Sequence, residues 1–128
     1  MKLTHHAINE VYSILKQAGA VACPVYKYVK PTKVTTDEYV VLNSLPISSG
    51  VLQTCRVNVN FYRKNLASGI PDVTRLQVVS QQIIDYLEMT SNRTDGIYID
   101  FESQEIIVSD GTNECYSNLR VKVKLLNK

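Results

Sequence analysis

Residues Gln53 to Tyr62, with the sequence QTCRVNVNFY, decide how this chain folds. Small or apolar side chains alternate there with polar ones, and a period of two places successive side chains on opposite faces of a β-strand. The apolar face consists of Cys55, Val57, Val59 and Phe61. We therefore expect a strand with one face packed on a core and a polar face turned away from it.

Two segments before this strand also have the composition of strands. Pro24–Val29 is rich in strand-forming residues. Tyr39–Leu45 is apolar for most of its length, which is typical of an interior strand that is covered on both faces. Between them, the polar residues from Lys30 to Glu38 indicate an exposed loop.

Strand patterns return near the end of the sequence. Ile97–Glu102 alternates, and the polar pair Ser103-Gln104 indicates a short hairpin that leads back along Ile106–Val108. After a turn at Asp110-Gly111, the alternation from Cys115 to Leu125 predicts a long amphipathic strand. This part of the sequence is therefore expected to form three strands.

Two further segments have the apolar spacing of helices. One runs from Thr4 to about Gly19, and the other begins at Pro71-Asp72. The apolar stripe of the second consists of Val73, Leu76, Val79, Ile83, Tyr86 and Leu87. The order of the elements predicts an α+β fold in a single domain over residues 1–128, with a mostly antiparallel β-sheet and two main helices packed on it.

Composition narrows the class of protein. The 128 residues are 45% hydrophobic and 20% charged, as in ordinary globular domains, and a net charge of +2 is too small for general affinity for nucleic acids or membranes. Cys23, Cys55 and Cys115 have no CxxC spacing, so neither a disulfide framework nor a zinc site is expected. Because no signal-peptide run or membrane span is visible, we expect a soluble protein that is made in the cytoplasm.

Catalytic motifs are sparse. The two histidines, His5 and His6, are neighbours, which excludes a histidine base elsewhere in the chain. Neighbouring side chains on a helix diverge by about 100°, so the pair is also a poor metal site. The five glycines are scattered singly, and no phosphate-binding glycine loop is present. We therefore expect no enzymatic activity, no cofactor and no bound metal.

Carboxylates gather in the predicted late strands. They are Asp100, Glu102, Glu105, Asp110 and Glu114. Such a group is compatible with a metal-dependent hydrolase or a glycosidase. The alternation of Asp100 and Glu102 with apolar neighbours favours a solvated strand face instead, and Asp110 belongs to a turn.

A basic strip marks the predicted final strand. Arg120, Lys122 and Lys124 share one face of it, and Tyr116 is aligned with them. Such a strip can contact phosphates while an aromatic ring stacks on a base, so the three basic residues are candidates for facing DNA. A face that is solvated or that contacts another subunit is the more ordinary interpretation.

Tyrosine is the most unusual feature of the composition, with eight tyrosines against two phenylalanines and no tryptophan. A tyrosine side chain combines a large apolar body with a polar tip, which suits a surface that becomes buried on assembly. Tyr26, Tyr28, Tyr39 and Tyr62 fall on or near the first strands and are the candidate partner contacts. Tyrosines that cap an ordinary core are an equally good interpretation.

The layout of the elements resembles that of bacteriophage tail-terminator and tail-completion proteins. The closest points are Val25–Val29, Glu38–Leu42, Val57–Tyr62 and Ile83–Leu87, and the pattern covers most of residues 1 to 126. Members of that family form ring oligomers, usually hexamers, on the end of the tail tube. There they stop tube polymerisation and present a surface to the head connector.

The resemblance implies a virion protein at the head–tail interface of a phage or prophage, made in the cytoplasm of the bacterial host. Its partners would be copies of itself, the tail tube protein and the head connector protein, with at most weak contact to DNA and none to a membrane. The loop from Lys30 to Glu38 is then a candidate partner contact through Lys30, Lys33, Asp37 and Glu38. The alternatives are another head–tail connector protein and a small nucleic-acid-binding domain that uses the basic strip.

Overall fold

The computed structural model describes residues 3–17, 21–32, 36–48, 52–90, 97–109 and 111–126. In chain order its elements are α1 (Thr4–Leu15), β1 (Val25–Lys27), β2 (Glu38–Ser44), β3 (Leu52–Lys64), α2 (Val73–Thr90), β4 (Ile97–Ser109) and β5 (Glu114–Leu126). Within these residues the strands form one five-stranded sheet in the order β1-β2-β3-β5-β4. β1 and β2 run parallel and the other neighbouring pairs antiparallel. The predicted α+β fold, a mostly antiparallel sheet with two helices packed on it, is confirmed.

Both helices pack on the same side of the sheet, which we call the closed face. α1 contacts β1, β2 and β3, while α2 contacts β3, β4 and β5. The fully buried side chains of this core include Ile8, Leu42, Phe61, Leu76, Ile83 and Leu119. Burying one such side chain contributes about 1.5–3 kcal/mol. The closed face is therefore the main source of the stability of the fold.

The alternation in β3 has the predicted consequence. Cys55, Val57, Val59 and Phe61 have no exposed surface. Arg56 and Asn58 point to the opposite side of the sheet and stay partly exposed. β5 alternates in the same way, and Cys115 is buried like Cys55. Both thiols therefore serve as small apolar side chains in the core.

The first two elements are shorter than their sequence patterns indicate. α1 ends at Leu15, well before Gly19, which lies outside the described residues. The N–H of Lys16 still donates to the carbonyl of Tyr12 at 2.9 Å, which completes the last turn. β1 ends at Lys27 because Tyr28 adopts a left-handed backbone conformation with a φ of 70°. A left-handed residue breaks the extended geometry that a strand requires.

The predicted hairpin at Ser103-Gln104 is wrong. Residues 97–109 form one continuous strand, and a β-bulge between Phe101 and Ser103 interrupts its register with β5. A bulge inserts one extra residue and shifts the alternation by one position. Phe101 pairs with Val121, while Gln104 pairs with Leu119. The change of phase in the sequence therefore marks a bulge, and two strands follow α2 where three were expected.

α2 begins where the sequence predicts it. The backbone N–H of Arg75 donates to Asp72 Oδ1 at 3.2 Å, so Asp72 caps the helix. The helix then runs from Val73 to Thr90. Among the described residues, neither helix combines the length and the apolar character that crossing a membrane requires.

Candidate functional site

The side of the sheet opposite the helices, which we call the open face, holds most of the polar residues singled out by the sequence. The register aligns its side chains in rows that run across the strands. Three kinds of row follow one another along β3 and β5. The first is aromatic, the second consists of asparagines, and the third is made of ion pairs.

The aromatic row is a ladder of three tyrosines, Tyr39, Tyr62 and Tyr116, which we call the tyrosine ladder. The three lie directly opposite one another on β2, β3 and β5. The ring centroids of Tyr39 and Tyr62 are 4.6 Å apart with an angle of 9° between the planes. Tyr62 and Tyr116 are also 4.6 Å apart, with an angle of 28°. Each stacked pair contributes about 0.5–1.5 kcal/mol beyond its buried area, so the ladder holds its own side chains in place.

Tyr39 is the most enclosed member of the ladder, with 4% of its surface exposed. Tyr26 packs against it at a tilt, and Lys30 Nζ lies 4.6 Å from the centroid of its ring. Its hydroxyl donates a hydrogen bond to Glu114 Oε1 at 2.6 Å. Burial, followed by this bond to a carboxylate, raises the pKa of Tyr39 well above its ordinary value of 10.0. The hydroxyl therefore remains a neutral hydrogen-bond donor at physiological pH.

The second row is a network of side-chain amides next to the tyrosine ladder. Asn58 Nδ2 donates to Asn43 Oδ1 at 2.8 Å. Asn118 Nδ2 donates to Asn60 Oδ1 at 2.6 Å and to Asn58 Oδ1 at 3.3 Å. Arg120 Nε reaches Asn58 Oδ1 at 3.4 Å. These bonds span β2, β3 and β5, so the middle of the open face is polar and ordered by contacts between side chains.

The third row consists of ion pairs towards β4. Arg56 Nε lies 3.0 Å from Glu102 Oε1, and Lys122 Nζ lies 3.8 Å from the same oxygen. Lys124 Nζ lies 2.9 Å from Asp100 Oδ2. Two members of the predicted basic strip therefore have carboxylate partners, and Arg120 joins the asparagines. The sequence prediction that the strip shares one face with Tyr116 agrees with this register.

The predicted partner contacts are divided by the structure. Tyr26, Tyr39 and Tyr62 meet on the open face. Tyr28 lies apart in the turn after β1, where its hydroxyl is 2.6 Å from His5 Nδ1 and 48% of its surface is exposed. Lys33 lies outside the described residues.

Glu38 belongs to an ion cluster that ties the sheet to the start of α2. Arg75 donates two hydrogen bonds to its carboxylate, from Nε to Oε2 and from Nη2 to Oε1, and the second is 3.0 Å long. Arg63 Nη1 lies 3.4 Å from Glu38 Oε2, and Arg63 Nε lies 3.4 Å from Asp72 Oδ2. The hydrogen bond from Arg75 lowers the pKa of Glu38 below its ordinary value of 4.5. Glu38 therefore makes its strongest contacts inside its own chain.

Asp37, the neighbour of Glu38, is exposed. It borders a shallow pocket of about 230 Å³ together with Lys64, Asn113 and Glu114. Its carbonyl accepts a hydrogen bond from the N–H of Lys64 at 2.9 Å. The acidic side chain of Asp37 is thus exposed at the end of the sheet next to Glu114.

The late carboxylates do not converge. Asp100 and Glu102 are paired with basic side chains, Glu105 is exposed on β4, and Glu114 lies at the other end of the sheet. Asp110 lies outside the described residues. Within the described ranges, no group of three or more His, Cys, Asp or Glu side chains is placed to hold a metal ion.

A buried polar contact between α2 and the sheet has no counterpart among the sequence predictions. The Ser80 hydroxyl donates to Ser117 Oγ at 2.7 Å, and Gln104 Nε2 donates to the same oxygen at 2.9 Å. Ser117 interrupts the apolar face of β5, which is the signal that was available in the sequence. Ser80 and Gln104 line a groove of about 410 Å³ between α2 and β4, together with Phe101 and Ile84.

Comparison with known proteins leaves the geometry as the main guide to function. No protein-family model matches the sequence, and no curated protein sequence matches it either. The function is accordingly inferred from the surfaces of this chain and from the layout of its elements.

Proposed function

We propose that this chain is a structural tail-completion or tail-terminator subunit of a bacteriophage. In this role it forms a ring of identical subunits that caps the tail tube and joins it to the head connector. The observation that carries the proposal is the open face, a sheet surface whose side chains are fixed in stacked, hydrogen-bonded and ion-paired rows. The assignment to a phage rests on this surface together with the resemblance in the layout of the elements.

An ordered surface of this kind is suited to contact with another protein. Tyrosines bury a large apolar area and keep a polar tip, and they are enriched where proteins meet. Because Tyr62 is stacked on both sides, little conformational entropy remains for it to lose on binding. The same argument holds for Asn58 and Asn118 in the amide network. Pre-organisation therefore favours association through the open face.

The open face is less suited to nucleic acid, the other role considered for the basic strip. Proteins that bind single strands offer free aromatic faces on which bases stack. In the tyrosine ladder both faces of Tyr62, and one face each of Tyr39 and Tyr116, are occupied by neighbouring rings. Lys122 and Lys124 are paired with carboxylates, which reduces the charge available to phosphates. Contact with DNA would be weak and independent of sequence.

Termination would follow from geometry. One side of the ring would match the last ring of the tail tube, and the other side would not accept a further tube ring. A closed ring requires a heterologous interface, in which two different patches of the same subunit meet. Neither step needs a catalytic group, and we propose that the protein is not an enzyme. A head–tail connector protein would use the same logic at a neighbouring position in the particle.

The proposal is tested by polymerising purified tail-tube subunits with and without this protein and measuring tube lengths by electron microscopy. We expect shorter tubes that carry extra density at one end. Unchanged lengths and bare ends on all tubes would reject a terminator role. Retention of single-stranded DNA at moderate salt, abolished by Lys122→Ala with Lys124→Ala, would instead support the nucleic-acid alternative.

A further inference from the structure

The two edges of the sheet differ in length and composition. β4 is an edge strand of 13 residues, whereas β1, at the other edge, has 3 residues. An edge strand presents backbone N–H and C=O groups that can pair with a strand of another chain. In the described part of the molecule, no strand pairs with the outer side of β4. β4 is therefore a template that an incoming strand can extend.

β1 also offers backbone groups on its outer side. The carbonyl of Pro24 accepts from the N–H of Val40 at 2.9 Å, and the N–H of Tyr28 donates to the carbonyl of Leu42 at 2.7 Å. In a parallel ladder, alternate residues of a strand bond to the same neighbour. Residues 24, 26 and 28 thus face β2, and the N–H groups of Val25 and Lys27 point away from it. Although short, this edge can pair with another strand.

The charges of the two edges are opposite. β4 contains Asp100, Glu102 and Glu105 and no basic residue. Residues 21–32, which include β1 and which we call the β1 edge, contain Lys27 and Lys30 and no acidic residue. Among the described residues, Glu105 and Lys30 have no ion-pair partner. Lys27 Nζ is held by Asn9 Oδ1 at 2.6 Å and lies over the ring of Tyr12, so it is engaged within its own chain. Lys30 Nζ lies over the ring of Tyr39 but has no carboxylate partner, so Lys30 and Glu105 are the two charges that can pair between copies.

Both edges also expose apolar surface. On β4 the exposed side chains include Tyr98, Phe101 and Val108, and on the β1 edge they include Tyr28 and Val29, which is 72% exposed. Exposed apolar residues of this size gain free energy when a partner covers them. The edges are thus complementary in charge and alike in exposing apolar groups.

The two edges of one chain cannot meet. They lie at opposite ends of a five-stranded sheet, about 19 Å apart at the usual strand spacing. Asp100 and Glu102 are already paired with basic side chains of their own chain, so the charge that β4 offers to a second copy is that of Glu105. Pairing β4 with β4 of a second copy would put two Glu105 carboxylates at one edge without a cationic partner, which is unfavourable. Pairing β4 with the β1 edge of a second copy joins opposite charges. Electrostatics therefore selects a head-to-tail contact over a symmetric dimer.

We propose that β4 of one subunit pairs with the β1 edge of the next subunit, so that the sheets join head to tail into a closed ring. A contact of this type is heterologous and closes on itself when the rotation between subunits allows it. The open faces of successive copies then form a continuous band. The identification of this ring with the tail-tube cap rests on the proposed function, but the edge contact itself does not.

Charge reversal tests this contact. The variants are Glu105→Lys, Lys30→Glu and the two combined, with Glu88→Lys on the exposed side of α2 as the matched control. Native mass spectrometry and sedimentation measure the fraction of ring, for each protein alone and mixed with tail-tube subunits. We expect each single reversal to weaken association by about fivefold or more per contact, because attraction becomes repulsion. The double variant should recover the ring, and Glu88→Lys should behave as the wild type.

Several results would overturn the edge contact, provided that circular dichroism shows each variant to be folded. They are wild-type association in both single variants, failure of the double variant to recover, or a symmetric dimer that Glu105→Lys strengthens. A chain that stays at 14.4 kDa alone and with tube subunits would also overturn it. If rings form and respond to the reversals yet bind no tail component, the edge contact stands and the phage role fails. If the chain caps tubes but ignores every reversal, the phage role stands and the edge contact fails.

Discussion

The two faces of the sheet are ordered by different means. On the closed face, side chains such as Val57 and Phe61 lose all their exposed surface beneath the helices. On the open face, Tyr62 and Asn118 keep part of theirs and are fixed by one another through stacking and hydrogen bonds. Burial on the closed face therefore supplies most of the stability, while contacts between side chains order the open face. The closed face holds the fold together, and the side chains of the open face are held in place by contacts with one another.

The largest effect on stability should come from Phe61, which we compare with its neighbour Tyr62 on the opposite face of β3. Phe61→Ala removes a fully buried aromatic ring from the core and should lower the free energy of unfolding by about 3–5 kcal/mol. Tyr62→Ala removes a half-buried ring from the tyrosine ladder and should lower it by about 1–2 kcal/mol. Urea denaturation measures both values. Equal losses would show that the two faces contribute alike to stability and would contradict the assignment of stability to the closed face.

The ion cluster at the start of α2 gives the next effect, and it depends on pH. Glu38→Gln should lower the free energy of unfolding by about 1–2 kcal/mol at neutral pH, because Arg75 and Arg63 lose a charged acceptor. The pKa of Glu38 is lowered in the folded state, so its contribution is present above pH 4.5 and disappears as the pH falls through the folded-state value. Denaturation of both proteins between pH 7 and about 3 should show their difference shrinking on the acid side. A difference that is constant with pH would contradict the ion cluster.

The buried hydroxyl of Ser80 tests the polar contact within the closed face. Ser80→Ala removes the donor to Ser117 and should cost about 1 kcal/mol. Ser117→Ala alone leaves the buried Ser80 hydroxyl without its acceptor, so the double variant should lose less than the sum of the two single losses. Thermal unfolding of the three variants provides the comparison. Strict additivity would mean that the two hydroxyls do not interact.

The smallest effect should come from a single oxygen on the open face. Tyr39→Phe keeps the stacked ring and removes the hydrogen bond to Glu114, at a cost of about 0.5–1.5 kcal/mol. Tyr116→Phe is the matched control in the same ladder and should change stability less, since Tyr116 is more exposed than Tyr39. Denaturation in urea measures both. A larger loss for Tyr116→Phe would mean that the hydroxyl of Tyr116, and not that of Tyr39, makes the stronger contact in the folded protein.

The main features of the fold could be predicted from local patterns in the sequence. The period of two fixed the faces of β3 and β5, and Asp72 marked the start of α2. The bulge in β4 could not be distinguished from a hairpin, because both interrupt the alternation with polar residues. The left-handed turn at Tyr28 also left no mark, since such conformations are typical of glycine or asparagine.

The candidate site was predictable only in part. The face to which a side chain points follows from alternation within one strand, whereas a row of side chains depends on how several strands pair. The alternation places Tyr62 and Tyr116 on polar strand faces, but their stacking with Tyr39 depends on the register between strands that are distant in sequence. The grip of Arg75 on Glu38 depends in addition on how α2 is positioned over the sheet. Neither relation can be derived from the spacing of residues along the chain.

The most direct test of the account is the affinity of two folded variants for the ends of tail tubes. Tyr116→Lys alters the open face, and Gln82→Lys alters the exposed side of α2 by adding the same charge. Because contact is assigned to the open face, we expect Tyr116→Lys to bind about tenfold more weakly or worse, and Gln82→Lys to bind like the wild type. Equal affinities for the two variants, or a loss confined to Gln82→Lys, would contradict the assignment of partner contact to the open face.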